Sequence, residues 1–371
     1  MTTGVEVIPL ARPVIGEREE QAVLDVLRSG QLSLGPRLPA FEETFARRVG
    51  ARHACAVSSG TTALHLALRA VGVGAGDEVV TSPLSFVASA NAPLFEGARP
   101  VFADIDAVTL CLDPDAAAAA ITGRTKALLP VHIFGWPAEV EALERHGLPI
   151  VEDACEALGA RHADGTPVGG RGHPAAFGFY ANKQLTTGEG GMLVMGSSEH
   201  KRRVDSERNQ GRAVDMGWLD HDRLGFNYRL SDIACALGLA QLERLDGMLA
   251  ARARVAGWYR SALADMDLTL PCEDAGGNVR GWFVFVVQLP RGTDRDATIM
   301  ALRHAGVQSK PYLPAIHLMS FYRERLGHRP GEFPVCEDVA ARSIALPFFP
   351  AMTEGEVAAV ADALRAAVTP A

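Results

Sequence analysis

Apolar positions between residues 53 and 196 form short runs that alternate with helical patterns. The run HACAVS at 53–58 predicts a strand, and TTALHLALRAVG after it predicts a helix ending at Gly72. Several runs are almost continuously apolar, which is typical of strands buried on both faces of a sheet. Further strands are predicted at DEVVTSPLSF, ARPVFADI, KALLPVHIF, LPIVEDA, AAFGFY and GMLVMG.

Helical patterns such as PAEVEALERHG lie between many of these strands, and this alternation predicts an α/β domain with a mostly parallel sheet. Residues 232–263 keep a helical period without proline, which predicts a long helix leading to a second part of the chain. The strand GWFVFVVQLP and the helices DRDATIMALRHAG and EGEVAAVADALRAAV then indicate a small α+β unit. We therefore expect a large domain over 1–250 and a small C-terminal domain over 251–371.

Composition narrows the class of protein. The 371 residues are 48% hydrophobic, enough for a large core, and the net charge of −8 argues against nucleic acid as a partner. No basic segment followed by an apolar run opens the chain, and no apolar stretch has the roughly 18 residues of a membrane span, so we expect neither a signal peptide nor a membrane partner. The six cysteines contain no C-x-x-C pair, which favours a reduced, cytoplasmic protein.

The stretch SSGTTALHLAL places small and hydroxyl residues between a predicted strand and a predicted helix. Free N–H groups and the positive end of the dipole at a helix N-terminus favour an anion, phosphate above all. The alternative is an ordinary helix cap formed by a serine or threonine.

Asp153, in PIVEDACEALG, follows an apolar strand and is expected at the strand's carboxyl end, where open α/β sheets bind ligands. A buried carboxylate there needs a positive partner, and a charged nitrogen heterocycle is one. The alternative is an aspartate that caps the next helix.

Lysine is scarce in this chain, which contains Lys126, Lys183, Lys201 and Lys310 among 36 basic residues. Lys183 closes a predicted strand and opens a glycine-rich turn, in FYANKQLTTGEGG. The glycines follow the lysine, so the pattern is not a phosphate-binding Walker loop. A Schiff base is chemistry for which arginine cannot replace lysine. The common alternative is a surface lysine.

A phosphate-binding helix start, an aspartate at a strand end and a Schiff-base lysine together match the needs of pyridoxal 5'-phosphate. Its phosphate, ring nitrogen and aldehyde would take the three sites in turn. Their order along the chain suits the fold-type-I arrangement. Asp104 and Asp106 form a D-x-D pattern, which we interpret as a strand end rather than a metal site.

At this point the chain resembles the DegT/DnrJ/EryC1/StrS family of sugar aminotransferases over nearly its whole length. The resemblance implies homodimers with the aspartate aminotransferase fold, which move an amino group from glutamate or glutamine to a keto sugar, usually nucleotide-linked. The motifs that carry it include PLARPVIGEREEQAVLDVLRSGQLSLGP, SSGTTALHLAL, IVEDACEALG, FYANKQLTTGEGG and GFNYRLSDIACALGLAQLERLD.

The resemblance assigns cofactor contacts residue by residue. Lys183 matches the lysine that bonds the aldehyde, and Asp153 matches the carboxylate that faces the pyridine nitrogen. Phe86 matches an aromatic residue that stacks on the ring, which suits its π-face. The other implied cofactor contacts are Gly60, Thr61, Thr62, Glu156, Gly178, Asn227 and Arg229.

Substrate contacts and the dimer follow from the same resemblance. Asn227 and Arg229 match residues that reach the partner subunit's site, and Arg229 is assigned to substrate binding with Tyr312 and His317. Three other positions depart from the family pattern. Gly178 replaces a common serine, Glu156 replaces a common glutamine or histidine near the ring, and Trp136 replaces a frequent glutamine.

The sequence therefore predicts a sugar aminotransferase that acts on a keto sugar, for which we expect a nucleotide-linked 4-keto or 3-keto deoxyhexose. Relatives with histidine in place of the lysine are sugar dehydratases, and Lys183 argues against that activity. One alternative is amination of a keto-cyclitol or another reaction within the same family. A second is a non-catalytic regulator that binds the cofactor, which would need an added DNA-binding segment that we do not expect.

Overall fold

The computed structural model describes residues 7–213, 220–274 and 276–368. Its main sheet has a four-stranded part in the order β1-β7-β6-β5 and a three-stranded part in the order β3-β2-β4. Parallel bridges Leu128–Ile150 and Val131–Asp153 join β4 to the segment that contains β5. The strands are β1 (His53–Val57), β2 (Glu78–Thr81), β3 (Arg99–Phe102), β4 (Thr125–Leu129), β5 (Glu152–Asp153), β6 (Ala175–Gly178) and β7 (Gly191–Met195).

The sheet is mostly parallel, as the sequence predicts. β7 pairs antiparallel with both β1 and β6, whereas the β2–β3, β2–β4 and β5–β6 pairs are parallel. Because β1 and β6 both run antiparallel to β7 and β5 is parallel to β6, the carboxyl ends of β1, β5 and β6 lie at one edge of the sheet. Apolar runs predicted longer strands; β2, for example, ends at Thr81 because Ser82 and Pro83 follow it.

Helices cover the sheet and connect its parallel strands. The helix predicted after β1 begins at Gly60 and ends at Ala70, slightly before Gly72, which continues the turn in a left-handed conformation. The helices of this part are α1 (Glu17–Ser29), α2 (Arg37–Val49), α3 (Gly60–Ala70), α4 (Ala88–Phe95), α5 (Pro114–Ala120), α6 (Val140–Glu144) and α7 (Ser198–Arg208).

The long predicted helix is present as α8 (Asp232–Ala262), and the side chain of Ser231 caps its N-terminus. Helices α1 and α2 pack against it. Close approach is possible where Gly238 faces Phe41, because a Cβ at Gly238 would lie 2.6 Å from that ring.

The C-terminal part has its own small antiparallel sheet and its own apolar core. Tyr259 of α8 belongs to this core, stacked on Phe285 with ring centroids 4.8 Å apart. The division at residue 250 falls inside α8 and stays a prediction. The elements are β8 (Phe285–Gln288), β9 (Lys310–Pro311), β10 (Ser343–Leu346), α9 (Arg295–His304), α10 (Ser320–Leu326), α11 (Pro334–Arg342) and α12 (Glu354–Val368).

Among the helices of the described chain, none combines the length and the apolar character needed to cross a lipid bilayer.

Candidate active site

A cavity of about 490 Å³ opens at the carboxyl edge of the main sheet. The segments that follow β1, β2, β5 and β6 form most of its wall, and residues of the C-terminal part close one side. Its lining includes Ser59, Gly60, Thr61, Ser85, Phe86, Asp153, Glu156, Gly178, Tyr180, Lys183, Phe283 and Tyr312. The sequence-predicted phosphate, carboxylate and lysine positions therefore share one cavity.

Asp153 ends β5 and is a buried carboxylate that lines this cavity. Oδ2 accepts a hydrogen bond from Ser89 Oγ at 2.6 Å, and Oδ1 accepts one from the Cys155 N–H at 3.1 Å. No helix follows directly, so Asp153 is not a helix cap. Within the described residues no basic side chain forms an ion pair with it, which leaves a buried negative charge that a cationic ligand group can balance.

The N-terminus of α3 lies beside the same cavity. Ser59 caps it through a hydrogen bond from the Thr62 N–H to Oγ at 3.1 Å, and Thr62 Oγ1 in turn accepts from the Ser59 N–H at 3.1 Å. The first two N–H groups of the helix, those of Gly60 and Thr61, face no carbonyl of the helix itself. They can donate to an anion, and the helix dipole favours negative charge at this end. The cap and the anion site therefore coexist in one turn.

Lys183 follows β6, and its ammonium is held between an acid and an aromatic ring. Nζ lies 3.6 Å from Glu156 Oε1 and 4.0 Å from the centre of the Phe283 ring. Burial raises the pKa of Glu156, although Lys183 and a hydrogen bond from the Phe134 N–H to Oε2 oppose that shift. A carboxyl group that resists ionisation next to an amine can hold a proton at that point.

The aromatic side chains that line the cavity differ in how exposed they are. Phe86 is 60% exposed and Tyr180 is 54% exposed, so their faces are available to a flat ligand. Tyr312 packs against the ring of Phe134, and burial raises its pKa well above the usual range. Gly60 and Gly178 approach closely, since a Cβ on Gly60 would lie 3.3 Å from the Gly178 Cα and 2.7 Å from Cys155 Sγ. Gly178 therefore lines the cavity without the hydroxyl that a serine would add.

Several predicted site residues lie away from this cavity in the single chain. The Thr62 hydroxyl is used in the cap of α3. Arg229 donates to Asn209 Oδ1 at 2.9 Å, and Asn227 pairs with Asn209 through a backbone bridge. His317 is fully buried and lies 3.0 Å from Glu337 Oε1, and burial lowers its pKa. The assigned roles of these residues stay predictions.

Trp136, the remaining departure from the family pattern, and Asp104, from the D-x-D pattern, do not line the cavity. Trp136 is buried and faces the guanidinium of Arg280, whose central carbon lies 5.0 Å from the ring centre. Asp104 accepts hydrogen bonds from the N–H groups of Val335 and Cys336 at 3.0 and 2.9 Å. Trp136 therefore acts through packing, and Asp104 through a contact with the start of α11.

Sequence reasoning missed several residues of the site, among them Ser89 and Phe283. Ser89 holds the carboxylate of Asp153 and also lies 2.7 Å from Ser85 Oγ. The spacing of four residues between these serines is a helical-turn signal that could have indicated them. Phe283 lies beneath Lys183, one hundred residues further along the chain, and no local pattern points to it.

Comparison with known proteins agrees with this geometry. Residues 13–365 match the DegT/DnrJ/EryC1/StrS aminotransferase family, to which the chain belongs. It is 38% identical to the spore coat polysaccharide biosynthesis protein SpsC of Bacillus subtilis (strain 168), over 96% of each chain.

Solved structures show the same relationship. The fold matches DesV of S. venezuelae, solved in complex with a ketimine intermediate, with a TM-score of 0.89 and 36% identity over 95% of each chain. It also matches 3-amino-5-hydroxybenzoic acid synthase, with a TM-score of 0.91 and 31% identity over 98% of this chain and 99% of that one. The fold is therefore the fold type I of pyridoxal-phosphate enzymes, and the protein is a pyridoxal-phosphate-dependent sugar aminotransferase.

Proposed function

We propose that the cavity at the carboxyl edge holds pyridoxal 5'-phosphate through the three predicted contacts. The unbalanced carboxylate of Asp153 suits the protonated ring nitrogen, and the N–H groups of Gly60 and Thr61 suit the phosphate. Lys183 is the lysine that reaches the cavity and would bond the aldehyde, while the exposed ring of Phe86 offers a stacking face. Bound there, the cofactor supplies an electron sink for reactions at an amino-bearing carbon.

The roles of the protein groups follow from their positions. Asp153, held by Ser89 and the Cys155 N–H, would present its carboxylate to the ring nitrogen of the bound cofactor. The Lys183 amine, when not bonded to the cofactor, would serve as the general base and acid that moves a proton at the amino-bearing carbon. Glu156 lies close enough to Lys183 to exchange a proton with it between turnovers.

We propose that the acceptor is a nucleotide-linked keto sugar, most simply a 4-keto or 3-keto deoxyhexose, and that glutamate or glutamine is the amino donor. The family and the polysaccharide-pathway name of the relative SpsC support a sugar acceptor. Of the residues assigned to substrate recognition, Tyr312 already lines the cavity. His317 would have to leave its partner Glu337 to reach a substrate.

We propose in addition that the enzyme is a homodimer with shared sites. Lys183 is the one basic side chain among the described residues that line the cavity. The donor carboxylate, the cofactor phosphate and a nucleotide diphosphate together need more positive charge than one lysine provides. Asn227 and Arg229 of one protomer, completing the site of its partner, would supply it.

A carbocyclic keto acceptor is the second candidate. It is supported by the structural match to 3-amino-5-hydroxybenzoic acid synthase, whose named product carries its amino group on a carbon ring. A nucleotide-linked keto hexose and a keto-cyclitol, tested in parallel with glutamate or glutamine as donor, separate the two candidates by which one is aminated. Absence of amination with both acceptors would reject both proposed substrate classes.

Borohydride trapping tests the site assignment. The purified protein with pyridoxal 5'-phosphate should be yellow, and reduction should fix the cofactor on the peptide that contains Lys183. The chain carries its own controls in Lys126, Lys201 and Lys310. Recovery of the label on one of these would overturn the assignment. Lys183→Ala should still bind the cofactor but should lose transamination.

A further inference from the structure

Arg252, on α8, is a guanidinium buried without an acidic partner. Arg252 is 3% exposed, and burial lowers the pKa of its guanidinium to about 10. Within the described chain no carboxylate forms an ion pair with it, and its Nε has no hydrogen-bond partner there. Burying a cation without a counter-ion is unfavourable, so the contacts that this guanidinium makes need an explanation.

Besides the Phe348 ring, whose centre lies 5.7 Å from its central carbon, this guanidinium contacts backbone carbonyl oxygens around Lys183. Nη1 donates to the Phe283 carbonyl at 3.0 Å, and Nη2 donates to the carbonyls of Lys183 at 3.2 Å and of Asn182 at 3.5 Å. A planar guanidinium can serve several acceptors at once in a fixed geometry, which an ammonium group cannot do. Arg252 therefore joins the lysine turn to the segment before β8 by one rigid group.

Together with Glu156, the two joined segments set the position of the lysine amine. The Lys183 side chain projects from one of them, and the Phe283 ring, 4.0 Å from Nζ, belongs to the other. A shift of either backbone would move the amine relative to Asp153 and to the N-terminus of α3. The guanidinium fixes both the origin of the side chain and the surface on which its tip rests.

We propose that Arg252 is a positioning residue for Lys183, which holds the amine at the point where it meets the carbonyl carbon of the cofactor. The proposal rests on the proposed role of Lys183 as the lysine that bonds the cofactor. Its consequence is specific, because loss of Arg252 should impair bond formation by Lys183 without weakening the phosphate and ring contacts of the cavity.

Two forms of the cofactor separate these effects. Pyridoxal 5'-phosphate can bond to Lys183, whereas pyridoxamine 5'-phosphate carries an amine in place of the aldehyde and tests the other contacts alone. For Arg252→Met, we expect covalent attachment of pyridoxal phosphate to the cofactor-free protein, followed by absorbance and borohydride trapping, to slow at least tenfold. The Kd of pyridoxamine phosphate should change less than twofold.

Matched variants define the comparison. Arg252→Lys keeps a charge and donors at the site and should attach the cofactor at least threefold faster than Arg252→Met. Arg254→Met, on the same helix at an exposed position, should behave as the wild type in both measurements. Circular dichroism reports whether each variant folds. If Arg252→Met does not fold, Arg252→Lys serves as the test, and we expect it to attach the cofactor at least threefold more slowly than the wild type.

The proposal is overturned if the Arg252 variants attach the cofactor at the wild-type rate. It is equally overturned if the Kd of pyridoxamine phosphate rises by the same factor as the attachment rate falls, since that pattern marks a general structural role. Failure of the wild type itself to trap cofactor on Lys183 would instead reject the proposed function.

Discussion

At the scale of single residues, the site contains ionisable side chains that are largely buried from water. Asp153 has a serine hydroxyl and one backbone N–H as its partners, and the neighbouring Glu156 faces the ammonium of Lys183. Such groups are unfavourable in an empty core and useful beside a charged ligand. Their surroundings give direct expectations for substitution.

Asp153→Asn should retain the fold and bind the cofactor but react poorly. A neutral amide cannot keep the proton on the ring nitrogen, so we expect the rate to fall by more than about tenfold, or about 1.4 kcal/mol in the barrier. Single-turnover absorbance kinetics with the amino donor would measure this. Asp113→Asn is the control, because Asp113 caps α5 and asparagine caps helices equally well. A smaller loss at Asp153 would contradict the assigned role.

His162 should make the protein sensitive to acid. Its imidazole is buried, its Nε2 has no partner among the described residues, and burial with repulsion from His132 lowers its pKa to about 4. The unfolded chain binds a proton near the ordinary value of 6.5, so stability is lost as the pH falls from 6.5 towards 4.

His162→Phe removes this titration and keeps a ring in the site. We expect urea unfolding to show a smaller loss of unfolding free energy between pH 7 and pH 5 in the variant than in the wild type. His146→Phe, at an exposed position, controls for the removal of one imidazole. Identical pH slopes for wild type and His162→Phe would contradict the expectation.

At the scale of elements, much of the site is visible in the sequence and part of it is not. Asp153, Lys183 and the start of α3 lie next to strands, so hydrophobic periodicity and turn residues place them at one edge. Phe283 and Arg252 reach the site through tertiary packing, which no local pattern encodes. Ser89 is signalled only by its spacing of four residues from the preceding serine. Apolar runs likewise predicted the strands but not their ends, which depend on neighbouring strands and on proline.

Helix α8 offers a matched pair of glycines that tests its packing. Gly238 faces the ring of Phe41 with no space for a Cβ, whereas nothing lies within 4 Å of the Cβ position of Gly247. Alanine favours a helix over glycine by up to about 1 kcal/mol. We expect Gly247→Ala to raise the free energy of unfolding by up to that amount, and Gly238→Ala to lower it by about 1–3 kcal/mol through overpacking. Urea unfolding measures both, and stabilisation by Gly238→Ala would show that α2 adjusts freely.

At the scale of the whole molecule, the chain brings Asp153, Lys183 and the start of α3 to one cavity, whereas Arg229 lies away from it. Arg229 lies after the segment 209–225, of which residues 214–219 fall outside the described residues. In the single chain its guanidinium contacts Asn209 and not the cavity. The dimer that we propose brings this arginine to the site of the partner protomer.

Mixing two inactive variants tests the shared site. Lys183→Ala and Arg229→Ala subunits, mixed equally, should form about half heterodimers with one intact site in two, which restores roughly a quarter of wild-type activity. The control is Lys183→Ala mixed with Asp153→Asn. Each protomer supplies both Lys183 and Asp153 to its own site, so every site in this mixture carries one lesion and the mixture should stay nearly inactive. If mass spectrometry shows subunit exchange and the first mixture also stays inactive, Arg229 does not act across the interface.

The pairing of β1 with β7 also has a consequence for synthesis on the ribosome. In the described sheet β1 is hydrogen-bonded along its length to β7 alone, although residues 53–57 leave the ribosome long before 191–195. At translation rates of about 5–20 residues per second, β1 waits on the order of ten seconds for its neighbour. Gly191 of β7 lies against Ser59, and the N–H of Ser58 donates to the Tyr228 carbonyl, so we expect the start of α3 to be fixed only after the lysine turn and residue 228 have emerged.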